Sequence, residues 1–125
     1  MSLIKLWIDD IRDPVRYLTA EQAEGIVWIK EWWEAKSFLI DNAANIEVIH
    51  FDHYMDEPSL TGTDLFFMVA GECMWGDKND EWPNLKQIYL HSSDSDHVEE
   101  LMEDHQQDLL EAGVELINNS QENNY

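Results

Sequence analysis

The feature that most constrains this chain is an alternation. Short apolar runs are each followed by a segment with helical spacing, and three of the runs stop at acidic residues or histidine. Leu3-Ile4-Lys5-Leu6-Trp7-Ile8 ends at Asp9-Asp10, and Ile46-Glu47-Val48-Ile49-His50-Phe51 ends at Asp52-His53. Gln87-Ile88-Tyr89-Leu90 ends at His91-Ser92-Ser93, while Ile26-Val27-Trp28-Ile29 follows Gly25. Runs of this kind read as strands buried on both faces. Trp32, Ala35, Phe38 and Leu39 then recur at helical spacing across 31–41. Leu65, Phe66, Val69 and Cys73 define a second helix starting near Thr63 or Asp64. Val98, Leu101, Met102, His105 and Leu109 share one face of a third, from about 96 to 112, which Gly113 ends. Val114-Glu115-Leu116-Ile117 reads as a fifth, edge strand, and 76–84 as a polar surface loop. Residues 15–24 are ambiguous, with Thr19-x-x-Gln22 able to cap one short turn.

Strands alternating with helices predict right-handed crossovers and a three-layer α/β fold. The expected centre is a mainly parallel sheet of four to five strands with helices on both faces. A chain of 125 residues suits one domain, expected over 1–117, with a frayed tail over 118–125. Charge narrows the function. With 27 acidic against 7 basic residues, net −20, binding to a duplex DNA backbone or to a membrane surface is not expected. One cysteine, Cys73, excludes an internal disulfide framework and a four-cysteine zinc site. No apolar run approaches the roughly 18 residues of a membrane span. No signal-peptide pattern precedes the first strand, so a cytoplasmic location is expected.

In such sheets ligands bind beyond the carboxyl ends of the strands, which is where the polar groups fall. Asp9, Asp10 and Asp52 at two neighbouring strand ends make a site for a hard divalent cation, Mg2+ or Mn2+. The plainer alternative is that Asp9-Asp10 only terminates a strand in an acid-rich chain. His53 and His91 are candidates for acid–base work on a phosphate ester, against the alternative of satisfied polar residues. Ser92 is placed to hydrogen-bond a phosphoryl oxygen, next to residues that would cap the third helix. Arg12 would clamp a phosphate or brace Asp10. Thr61, in the turn Thr61-Gly62-Thr63-Asp64, is assigned with Arg12 to the substrate side, and Thr63 to the helix cap. His50 and His105 read as structural, His97 as an exposed accessory. Trp7, Trp28 and Trp32 read as core, whereas Trp33, Trp75 and Trp82 are less constrained.

These motifs resemble a family. An acidic pair after strand one and an aspartate after strand three look like the receiver domain of two-component signalling, a flavodoxin-like fold. The stretch Leu6-Trp7-Ile8-Asp9-Asp10-Ile11-Arg12-Asp13-Pro14, then Phe51-Asp52-His53, Thr61-Gly62-Thr63-Asp64 and Tyr89-Leu90-His91-Ser92, is similar more specifically to the cyclic-phosphate-processing receiver-like family. The resemblance covers about residues 3–112. It implies metal-assisted processing of cyclic nucleotides or cyclic phosphate ends of RNA. Asp9, Asp10 and Asp52 would ligate the metal, and His53 and His91 would serve as acid and base. An ordinary receiver carries a lysine after its fifth strand, where this chain has Asn118-Asn119, so reversible phosphorylation of Asp52 is not expected. Two other readings stay open: a non-catalytic receiver-like module that binds a partner protein, and an acidic mimic of nucleic acid.

Overall fold

The computed structural model describes residues 3–9, 13–52, 61–91 and 95–118. Five parallel strands form one sheet: β1 (Ile4–Ile8), β2 (Val27–Ile29), β3 (Ile46–Asp52), β4 (Gln87–His91) and β5 (Glu115–Asn118). Their order is β2-β1-β3-β4-β5. The helices are α1 (Pro14–Tyr17), α2 (Ala20–Ala23), α3 (Trp32–Asn42), α4 (Gly62–Trp75), α5 (Lys78–Glu81) and α6 (Ser95–Glu111), with a 3-10 turn over Ala43–Asn45. The chain leaves β1 towards one side for β2 and then crosses back to build β3, β4 and β5 on the other. That reversal puts α1 and α2 on one face of the sheet and α3, α4 and α6 on the opposite face.

The two faces differ in chemistry. Leu6, Ile8, Ile49, Phe51, Ile88 and Leu90 point into one continuous apolar core with Ala35, Leu39, Phe66, Val69, Leu101 and Leu109 of the long helices. The opposite face carries Trp7, His50 and His91, all buried, with half-buried Tyr89. On this side α2 is tied to β1, with Lys5 Nζ donating to the Glu21 carbonyl at 3.1 Å. The division is set by a bulge. Ile4 pairs with Ile46 but Lys5 with Val48, so Glu47 is an extra residue in β3. It lets Ile46 join the apolar core while Val48 turns to the histidine face, although both are even-numbered.

Local signals explain most boundaries. Thr19 and Gln22 form the expected capping box of α2. Gly113, at φ 91, supplies the left-handed residue that ends α6. The segment expected as a surface loop over 76–84 departs from that reading. It contains α5, capped by the Asp77 side chain, and it delivers Trp82 into the core at 1% exposure. The indole Nε1 donates to Glu72 Oε2 at 3.4 Å, so the ring is anchored at both its apolar and polar ends. Trp82 therefore joins the core residues, while Trp33 and Trp75 are exposed. Cys73 is buried, and burial pushes its thiol up to about 12. Among the described residues no helix is long and apolar enough to cross a membrane.

Helix α4 begins where β3 ends. A Cβ at Gly62 would overlap the carbonyl oxygen of Asp52, which is backbone and cannot swing aside. At Gly71, in the same helix, a Cβ would make only ordinary contact, 3.8 Å from the Trp75 ring. The same substitution should act with opposite sign at the two positions. Gly62→Ala is expected to destabilise by on the order of 1–3 kcal/mol through overpacking. Gly71→Ala is expected to stabilise by about 0.5–1 kcal/mol through helix propensity. Urea unfolding of both variants beside the wild type checks this.

Candidate active site at the carboxyl edge

β1 lies where the strand order reverses, and in open α/β sheets the crevice at that reversal is the ligand position. Asp9 follows β1 on one side of this crevice and Asp52 ends β3 on the other. Ile8 pairs with Phe51, so the next residues, Asp9 and Asp52, lie side by side at one strand spacing, ~4.8 Å. Asp52 in turn pairs with His91 of β4. Both carboxylates and the imidazole are almost fully buried, at 1%, 1% and 2% exposure. Continuing the β1–β2 register from Ile8 opposite Ile29 places Lys30 beside Asp9, and the Asp9 amide donates to the Ile29 carbonyl at 3.2 Å. The edge thus reads, strand by strand, Lys30, Asp9, Asp52, His91: an amine, two carboxyl groups and an imidazole.

A layer of aromatic rings lies directly beneath this row. His50 sits two residues before Asp52 and so on the same face, opposite both Trp7 and Tyr89 in register. Its Nδ1 lies 2.7 Å from Nε2 of His91, a hydrogen bond in which one ring donates and the other accepts. His50 stacks on Tyr89 at 4.4 Å between centroids, and Trp7 leans against His91 at 4.6 Å. Burial, reinforced by the Lys5 charge, lowers the His50 pKa to about 3. It is therefore a neutral ring throughout the range in which a histidine ordinarily titrates. On the β2 side, Trp28 Nε1 donates to the Asp9 carbonyl at 2.8 Å, and the Lys30 ammonium lies over the Trp28 ring at 4.2 Å.

The third wall is made by helix starts. Thr63 is buried in the first turn of α4, with its Oγ1 3.0 Å from His97 Nε2 of α6. Phe51, Asp52, Thr63, His91, His97 and Val98 line a small cavity of about 10 Å³ between these helices and the sheet. The cap of α4 is Thr61 rather than the expected Thr63. Thr61 Oγ1 accepts from the Asp64 amide at 3.3 Å, and Asp64 Oδ2 accepts from the Thr61 amide at 2.9 Å. Thr61, expected on the substrate side, forms this capping box with its hydroxyl. Its carbonyl accepts from Trp32 Nε1 at 2.8 Å, which ties α3 to the start of α4.

Of the residues expected at the site, the structure brings together Asp9, Asp52 and His91. Asp10, Arg12, His53 and Ser92 lie outside the described residues. Among the described residues no group of three His, Cys, Asp or Glu side chains is arranged to hold a metal ion. His50, read as structural, is buried, and the sequence did not show that it meets His91, that Lys30 lies beside Asp9 or that Thr63 meets His97. For His50 a signal existed, because alternation in β3 puts residue 50 on the face of residue 52.

A parallel sheet in this order, with aspartates flanking the crevice at its reversal point, defines a receiver fold. A solved structure agrees with the fold. The signal receiver domain of a protein described as a Luxo repressor from Vibrio parahaemolyticus matches over 95% of this chain and 79% of its own. Its identity is 15% and its TM-score 0.53. A response regulator from Thermotoga maritima matches over 95% of this chain and 86% of its own, at 17% identity and a TM-score of 0.49. Within the receivers, the model of the cyclic-phosphate processing receiver domain matches residues 4–107, and the chain belongs to that family. The comparison with curated proteins gave no match.

The neutral His50 has a consequence for stability. The unfolded imidazole binds a proton near its ordinary pKa of 6.5, whereas the folded one does so only near 3. In that window the unfolded state holds the extra proton, so this group's contribution is complete above about pH 6.5 and is lost as pH falls through the window. Between pH 7 and pH 5, His50→Phe is expected to lose about 2 kcal/mol less stability than the wild type. Urea unfolding of both proteins at the two pH values measures the difference.

Proposed function

We propose that this chain is a metal-assisted phosphoesterase that opens cyclic phosphates, either of nucleotides or of RNA ends. The observation that carries the reading is the row at the crevice, where Asp9 and Asp52 adjoin and Asp52 lies in register with His91. Family membership supports cyclic phosphate as the substrate class.

The donor chemistry fits a hard divalent cation. Two carboxylates from separate strands suit Mg2+ or Mn2+, which commonly take one or two protein carboxylates and leave their other positions to water and substrate phosphate. Asp9 and Asp52 would hold the ion. When bound, it would supply charge that stabilises the developing negative charge on the phosphoryl oxygens. The burial of the two carboxylates strengthens that interaction by lowering the local dielectric.

His91 moves the proton in this proposal. A water oxygen forms a new bond to phosphorus while one ester P–O bond of the ring breaks. His91 takes the proton from that water and returns one to the departing alkoxide, so that atoms and charge balance. Lys30, on its Trp28 platform, stands at the same edge and balances part of the phosphate charge in a chain of net −20.

The test combines binding with turnover. Mn2+ or Mg2+ should raise the melting temperature of the wild type, because a ligand held only by the folded state stabilises it. Asp52→Asn should melt at or above the wild-type temperature in EDTA but show no metal-induced rise. His91→Ala should keep the rise and lose turnover of 2′,3′-cyclic nucleotides or 2′,3′-cyclic RNA ends. A metal-induced rise that survives in Asp52→Asn would overturn the site assignment. Absence of turnover above a metal-only control, across both substrate types, would return the chain to a binding module.

A further inference from the structure

We propose that the seam between α4 and α6 is a docking surface for a basic amphipathic helix of a partner protein, with a lysine or arginine of that helix seated against Trp75. The surface lies away from the carboxyl edge. Crossover helices run antiparallel to the strands of a parallel sheet, so the last turns of α4 and α6 stand at the opposite, amino edge. The proposal is therefore independent of the phosphoesterase reading.

Apolar surface is left open along this seam. Phe67, Gly71 and Trp75 follow one another at four-residue spacing and share one face of α4. Phe67 is 47% exposed and Trp75 82%, two large aromatic side chains that the fold itself does not cover. The Phe67 ring meets His105 of α6 edge-on at 5.6 Å between centroids, which puts it on the seam. The Trp75 ring lies back towards Gly71, where a Cβ would stand 3.8 Å from it. From Phe67 to Trp75 is about 12 Å along the helix axis, a little over two turns. A helix laid along the seam meets both aromatics with side chains seven or eight residues apart.

Charge decides the occupant. Beside Trp75 is an open cavity of about 750 Å³, lined among the described residues by acidic Asp77, Asp108 and Glu111 against one lysine, Lys78. Both α4 and α6 end at this cavity, and neither carries a basic residue in its last turn. The negative ends of two helix dipoles therefore add to the charge of the acidic residues. A lysine or arginine entering there meets opposite charge and an indole face together. The same charge disfavours the simplest rival, a second copy of this chain. Two copies meeting on this face would bring acidic walls together in a protein of net −20.

The probe is a fluorescein-labelled helical peptide of about 16 residues, with leucine along one face and arginine beside it, compared with a scrambled peptide of the same composition. Binding is read by fluorescence anisotropy in about 150 mM salt, where attraction to distant charge is screened. The ordered peptide is expected to bind roughly 10-fold tighter than the scrambled one or better, and to shift the amide resonances of Phe67, Trp75, His105 and Asp108. Trp75→Ser and Phe67→Ser, which leave the net charge unchanged, should each weaken it about 10-fold, as should Asp108→Lys. Trp33→Ser, which removes an exposed tryptophan from α3, should bind as the wild type does. Equal affinity for the two peptides, or equal losses in Trp33→Ser and Trp75→Ser, would overturn the proposal, because attraction would then follow bulk charge or any exposed indole. Absence of binding by the wild type would overturn it as well. Sedimentation equilibrium of the protein alone tests the rival: a dimer that Trp75→Ser converts to a monomer would assign this face to a second copy instead.

Discussion

Everything at the carboxyl edge depends on how β3 is held between β1 and β4. β3 is the middle strand of the sheet, almost wholly buried, and its register on both sides decides which chemical groups become neighbours. A slip of one residue would turn His50 and Asp52 into the apolar core and bring Ile49 and Phe51 to the site. The extra residue at Glu47 works against such a slip, because Ile46 and Val48 fill different faces only with the bulge in place. The site is thus specified by apolar packing several residues away from it.

The sheet separates two tasks. The face under α3, α4 and α6 carries the continuous apolar core and provides most of the burial that drives folding. The other face buries imidazoles, an indole and a phenol. Burying polar rings is unfavourable unless they are paired, and pairing them in a low-dielectric layer makes their hydrogen bonds stronger and more directional. That accounts for the continuous contacts among Trp7, His50, Tyr89 and His91. A rigid aromatic layer below a row of carboxylates holds the row in place without adding charge to it.

How much of this was legible in the sequence varied with how local its cause was. The strand ends at Asp9, Asp52 and His91, the Thr19–Gln22 cap and the stop at Gly113 are written in adjacent residues, and the structure has all of them. The α4 cap was misplaced by two residues because Thr61 and Thr63 both suit the position. Only the packing of Thr63 against His97 and of Gly62 against Asp52 separates them. Trp82 was read as peripheral because its neighbours are polar, whereas its burial comes from distant elements. His50 reads only as structural for a subtler reason. In a strand buried on both faces apolar and polar residues do not alternate, so although position 50 shares the face of position 52, a histidine among isoleucine and phenylalanine looks like one more core residue. Lys30 went unremarked because its significance lies in register with Asp9, across a strand pair rather than along the chain.

The contact between Gly62 and Asp52 bears on how such a site can change over evolutionary time. It is made by the main chain of Asp52, not by its carboxylate. Position 62 therefore disfavours any residue with a side chain for as long as β3 ends where it does. The side chain at position 52 is under no such restriction from this contact. The helix seat and the side chain are carried by different atoms of one residue, so a lineage can exchange the side chain at the end of β3 while the helix stays seated on its backbone. That separation is one physical route by which a single fold comes to host several chemistries.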